Sequence, residues 1–82
     1  AEQQDLQEIE TRIDKLSPRE HEVLHFAARG LTSREIGSQL GISPRTVEVH
    51  RASVMHKTGA GSVADLVRFV LQIEASNSTN RS

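Results

Sequence analysis

The sequence predicts an all-α module on three observations. Two helix-opening signatures of the same kind occur, glycines stand where helices must stop, and apolar residues repeat at intervals of three and four with no alternating stretch. A chain of 82 residues can enclose one core and not two. Its 35% hydrophobic content includes only two Phe and no Trp or Tyr, which suits packed aliphatic helices. The absence of cysteine excludes a disulfide scaffold, a cysteine zinc site and thiol catalysis, and makes a cytoplasmic location the expectation. No apolar run approaches a bilayer span and no basic-then-apolar leader opens the chain, so no membrane association is expected. The first residue is Ala and the opening is Gln-rich, which predicts a piece of a longer protein.

Within residues 1–15, and into the start of the next segment, Leu6, Ile9, Ile13 and Leu16 follow one another at intervals of three, four and three. That rhythm fits either a marginal linker helix that frays alone or a dimerising or domain-connecting helix. Both alternatives stay open for residues 1–15, helical or frayed.

The four helices of the domain proper come next. Ser17-Pro18-Arg19-Glu20 supplies a hydroxyl at the N-cap, proline at the first position and a carboxylate at the third. The helix it opens carries Val23, Leu24, Ala27 and Ala28 and stops at Gly30. Thr32-Ser33-Arg34-Glu35 repeats the device for a short second helix with Ile36 and Leu40 on one face, ended by Gly41. Ser43-Pro44 opens a third helix that runs to Thr58, before Gly59-Ala60-Gly61. Ser62-Val63-Ala64-Asp65 opens a fourth, with Leu66, Val67, Phe69, Val70, Leu71 and Ile73. Residues 16–74 form the domain, and residues 75–82, with no apolar residue larger than Ala, are expected to be a disordered tail.

A net charge of −1 argues at first against a nucleic-acid partner. Its distribution says otherwise, because electrostatic footprints are local. Residues 1–16 carry −3, whereas residues 41–61 set Arg45, Arg51 and Lys57 against Glu48 alone for a net +2.

Two constellations could carry chemistry. His21-Glu22-Val23-Leu24-His25 matches the H-E-x-x-H pattern, in which two imidazoles one helical turn apart bind zinc and the glutamate acts as a general base. A zinc-dependent peptidase would also need a third ligand and a cleft, and neither is evident around so small a core; these side chains read better as a solvated face. We expect no metal, no cofactor and no catalytic residues.

The second constellation, Ser33 to Ala52, has the spacing of a helix-turn-helix. Gly37 allows a close helix crossing, Gly41 supplies the turn, and Ile36, Leu40, Ile42 and Val47 occupy the inward positions. At about 100° per residue, Val47, Val54 and Thr58 share one side of the third helix. Arg45, Val49, Ala52 and His56 lie opposite, flanked by Glu48 and Ser53. On such a helix Val49 could meet a thymine methyl, Glu48 could accept from a cytosine amino group, and Arg45 could reach guanine or phosphate. Arg51 and Lys57, with Thr32 or Arg34 at the preceding helix start, suit phosphates, and His56 joins that set. A solvated helix face is the plain alternative. His50 reads as a half-buried packing residue.

Together these residues carry a family resemblance. Leu-Ser-Pro-Arg-Glu-His-Glu-Val-Leu, Gly-Leu-Thr-Ser-Arg-Glu-Ile, Leu-Gly-Ile-Ser-Pro-Arg-Thr-Val-Glu-Val-His-Arg, and the lysine after Met55-His56 resemble the LuxR-type DNA-binding domain. Specifically, they resemble the C-terminal output domain of FixJ/NarL-type two-component response regulators, over about residues 16–73. The resemblance implies a four-helix LuxR-type helix-turn-helix domain preceded by a linker helix. The third helix would enter the major groove of double-stranded DNA, and the fourth would form a homodimer. It places base contacts on Glu48, Val49 and Ala52, to which we add Arg45, and puts Thr46, Arg51 and Lys57 near the backbone. Val67, Val70 and Leu71 cannot all be buried in so small a core and are expected at the dimer surface. A receiver domain phosphorylated by a sensor kinase would precede the chain, with residues 1–15 as the interdomain linker, and RNA polymerase is a further candidate partner. A protein-interaction module on the same bundle is the remaining alternative. Three residues depart from the family pattern. Gly37 stands where Ala is usual, with a helix cost of up to about 1 kcal/mol. Thr58 replaces Leu or Met, which predicts looser packing at that helix end, and Ala52 lacks the hydrogen-bonding group of some relatives.

Overall fold

A computed structural model describes the backbone of residues 2–81 and the side chains of residues 7–75. Five helices follow in order: α1 (Glu2–Asp14), α2 (Pro18–Ala28), α3 (Ser33–Leu40), α4 (Pro44–Thr58) and α5 (Val63–Arg81). No strand occurs among the described residues.

Helix starts follow the predicted chemistry. The Ser17 hydroxyl accepts from the Glu20 amide at 3.1 Å, and the Glu20 carboxylate accepts from the Ser17 amide at 2.9 Å. Thr32 and Glu35 make the same reciprocal pair at 3.2 and 2.8 Å. Ser43 accepts from the Thr46 amide at 3.1 Å, and Ser62 accepts from the Asp65 amide at 3.3 Å. The first three caps satisfy amides that the first helical turn leaves without a backbone partner, while the Asp65 amide also donates to the Ser62 carbonyl at 3.1 Å.

The core has two parts joined through neighbouring residues. Val23, Ala27, Ile36 and Val47 form one cluster, against which Leu31, Leu40 and Ile42 pack. Leu24, Val54, Ala60, Leu66 and Leu16 form the other, with Ile13, Phe69 and Val70 against it. α2 and α4 thus contribute to both; α3 closes one end, while α1 and α5 close the other. Burying a side chain such as Ile36 or Val47, both fully enclosed, is worth about 1.5–3 kcal/mol.

The turn between α3 and α4 explains Gly37. A Cβ there would stand 2.5 Å from the Ile42 carbonyl oxygen, so the chain crosses closer than a side chain at this position permits. Gly41 takes φ 71°, the left-handed conformation that glycine adopts without steric cost. The expected loosening by Gly37 is therefore better described as the condition for close packing. Thr58 likewise does not loosen the end of α4. It is 1% exposed, its hydroxyl donates to the Val54 carbonyl at 2.7 Å, and the same oxygen accepts from the Ala60 amide at 3.3 Å.

At the termini, Ile9 and Leu16 are buried and Ile13 packs against the cluster that holds Leu16, so the described part of the α1 seam is turned inward. Leu6 lies outside the residues whose side chains are described. The Arg12 guanidinium donates to the Thr58 carbonyl at 3.4 Å, reaching the C-terminal end of α4. At the other end the backbone of α5 continues helical through Arg81, into the segment expected as a disordered 75–82 tail. Extending an existing helix costs far less than nucleating one, so a polar run with modest propensity can follow the packed turns before it.

Candidate nucleic-acid interface

The outward side of α4 is polar around one conspicuous apolar residue. Val47 and Val54 are almost fully buried, whereas Val49 is 64% exposed. Around Val49, Arg45, Glu48, Ala52 and His56 are exposed, and His50 and Arg51 are half-buried. The wheel drawn from sequence therefore assigns both sides of this helix correctly. From Arg45 to Lys57 the face extends for about 18 Å at 1.5 Å per residue, a length suited to lying in a groove.

The predicted backbone-contact residues flank that face. Thr32 and Arg34 are exposed at the start of α3, and Arg34 and Arg45 make no ion pair among the described residues. The Thr32 hydroxyl is already engaged by the Glu35 amide. Thr46 shares a 2.9 Å hydrogen bond with Ser43 at the start of α4.

Two clusters tie α4 to its neighbours, and the sequence reading missed the central member of each. Glu20 is the first. Read as a capping carboxylate, which is usually solvated, it is buried and also accepts from the Ser53 hydroxyl at 2.5 Å and the Lys57 ammonium at 2.9 Å. These contacts hold its carboxyl at about 2, below the ordinary 4.5, with the Ser53 hydrogen bond the largest cause, followed by those from Lys57 and the Ser17 amide. Lys57 thus has a resident partner as well as the phosphate role expected of it. The only available signal was Glu20 and Lys57 both lying beside apolar positions of their helices.

Ser33 is the second. Its hydroxyl donates to Glu48 Oε2, and Arg51 Nη1 donates to Ser33 Oγ at 3.2 Å. Arg51 Nη1 is also 3.7 Å from Glu48 Oε2. No sequence signal pairs Ser33 with a residue 15 positions away, because that contact depends on the helix crossing angle.

Elsewhere, Val67 and Val70 are half-buried and Leu71 is 58% exposed. All three line a groove between α2 and α5, together with His25, Ala28 and Arg29. The two histidines of the HEVLH segment are exposed, and Glu22 faces Arg19 at 3.4 Å.

Comparison with known proteins agrees with this geometry. Residues 14–70 match the family profile "Bacterial regulatory proteins, luxR family". The transcriptional regulatory protein FixJ of Azorhizobium caulinodans is 52% identical over 64 residues, covering 78% of this chain and 30% of the relative. FixJ of Rhizobium meliloti is 49% identical over 67 residues, covering 82% and 33%. Among solved structures, full-length FixJ from B. japonicum superposes with TM-score 0.74 at 43% identity, covering 82% of this chain and 33% of that one. The response regulator StyR does so with TM-score 0.78 at 39% identity, covering 87% and 35%. The chain spans about a third of the length of the relatives it matches. These relatives carry the names of transcriptional regulatory proteins, and the family match does not favour the peptidase alternative. With its all-helical fold and helix-turn-helix in place, the chain belongs to the LuxR family of bacterial regulatory proteins, as a DNA-binding domain of the FixJ-like response-regulator type.

Proposed function

We propose that this domain binds double-stranded DNA sequence-specifically as a homodimer and serves as the transcription-regulating output of a response regulator. The observation that carries the proposal is the α4 face, where an exposed valine lies between an arginine, a carboxylate and small residues. In this reading α4 enters the major groove, with Arg45, Glu48, Val49 and Ala52 reading bases. Thr32, Arg34, Thr46, Arg51, His56 and Lys57 hold phosphates. Residues 16–74 are the binding domain and residues 1–15 join it to a receiver domain, phosphorylated by a sensor kinase, in the whole protein. Val67, Val70 and Leu71 form the dimer face, so that two copies meet half-sites about 10 base pairs apart or closely abutting. RNA polymerase is the further partner and the cytoplasm the location of this activity. The names of the relatives, transcriptional regulatory proteins and response regulators, support the same role.

Selection of bound duplexes from a random pool tests the reading directly, because it yields half-site sequence and spacing together. Log affinity should fall against log salt concentration with a slope of about −0.9 per phosphate neutralised. A flat salt response with no enriched sequence would overturn the DNA reading in favour of a protein-interaction module. Leu71→Glu should weaken binding to paired half-sites while leaving a single half-site unaffected; equal loss on both would remove α5 from the dimer face.

A further inference from the structure

We propose that Ser33 is a specificity-determining residue: its hydroxyl, held by Arg51, fixes the Glu48 carboxylate so that one chosen oxygen faces a base. The inference rests on the reading above that Glu48 meets a base edge.

Ser33 is the first residue of α3, half-buried, and reaches across the helix crossing to two side chains of opposite charge one turn apart on α4. Arg51 can only donate and an ionised carboxylate can only accept, so the polarity of this chain is determined: Arg51 to Ser33 Oγ at 3.2 Å, then Ser33 to Glu48 Oε2. An i,i+3 ion pair by itself is weak and samples several rotamers. Threading a hydroxyl from another helix through the pair ties both side chains to a rigid element. Glu48 remains 61% exposed and Arg51 only 27%, so the carboxylate faces solvent while the guanidinium supports it from behind.

The consequence is chemical. Oε2 is occupied, and Oε1 accepts from no side chain among the described residues. A carboxylate turned toward DNA is repelled by the phosphates, a cost that accepting from a base offsets, and in the major groove the cytosine N4 amino group is the usual donor to a carboxylate. Fixing the acceptor beforehand lowers the ordering cost of using it. Without the Ser33 hydroxyl, Arg51 and Glu48 close on each other directly, and the acceptor loses its fixed direction.

Duplex selection followed by affinity measurements on the 82-residue chain tests this, using wild type, Ser33→Ala, Ser33→Thr, Glu48→Ala and the Ser33→Ala/Glu48→Ala double variant. Alanine is a good helix residue and the Thr32 cap is untouched, so Ser33→Ala retains the fold, which its melting curve checks. Glu48→Ala should erase preference at one base pair. Ser33→Ala should lower discrimination at the same pair by about fivefold, with affinity for unrelated duplexes and the salt slope changed by less than about twofold. Ser33→Thr should restore most of that discrimination, and the double variant should discriminate no less than Glu48→Ala alone. If Glu48→Ala erases the preference and Ser33→Ala does not, or if Ser33→Ala weakens every duplex alike, the role of Ser33 is overturned and the Glu48 reading stands. If Glu48→Ala leaves every preference intact, the base-reading assignment of Glu48 fails and takes the Ser33 proposal with it.

Discussion

The two polar clusters on α4 use the same ingredients and differ in burial. Toward the C-terminal end, Glu20 is enclosed and satisfied by Ser53, Lys57 and the Ser17 amide. Toward the N-terminal end, Glu48 is bound on one oxygen by Ser33, beside Arg51, and remains open to solvent. A carboxylate with several donors and little water is committed to holding helices together. One with a single anchored oxygen keeps an acceptor for something outside the molecule. The first cluster therefore governs stability, and the second is the one proposed to serve readout.

The sharpest way to break the contrast is Glu20→Ala, which leaves Ser53, Lys57 and the Ser17 amide without their acceptor. It should cost about 2–3 kcal/mol, measured by urea unfolding, whereas Glu48→Ala should cost less than about 0.5 kcal/mol because its ion pair is exposed. Acid extends the comparison. The Glu20 carboxyl is depressed from 4.5 to about 2 in the folded chain, so its contribution is complete above the unfolded value and is lost as pH falls from about 5 to 2. The wild-type urea midpoint should decline across that window more steeply than the midpoint of Glu20→Gln; parallel declines would show that the contacts of Glu20 do not favour its charged form. A smaller effect is expected for Thr58→Val, about 1 kcal/mol, since the Ala60 amide loses its acceptor while volume is conserved. Smallest in stability is Val49→Ala, within about 0.5 kcal/mol for an exposed side chain, and its effect should instead be a relaxed preference at one base pair. Lys57→Ala combines both regions: it should weaken binding to all duplexes alike and also lower the urea midpoint.

Much of this was legible in the sequence, for local reasons. Ser17, Thr32, Ser43 and Ser62 announce helix starts because capping is settled within four residues, and the bounds of α4 follow from Ser43-Pro44 and Gly59. The exposed face of α4 is legible because helical geometry fixes it once Val47 and Val54 are assigned to the core. What depends on helices meeting was not legible. Glu20 reads as a cap, and its second role requires α4 to lie across the start of α2. Gly37 reads as the small residue of a close crossing, but how close becomes plain only when the Ile42 carbonyl is placed 2.5 Å from where a Cβ would be. Composition at the C-terminal end reports intrinsic preference and not the helix already formed before it, which carries the backbone of α5 through Arg81.

Val23 and Leu24 are consecutive residues assigned to different halves of the core. Neither half can open while the other stays shut, because releasing one side of α2 withdraws the wall that the other side leans on. Such a chain should unfold in one step, and the amides of α2 and α4 should exchange with deuterium at a common, globally limited rate. In the proposed reading, α4 mounted this way meets DNA as a rigid edge, with its shape settled before contact.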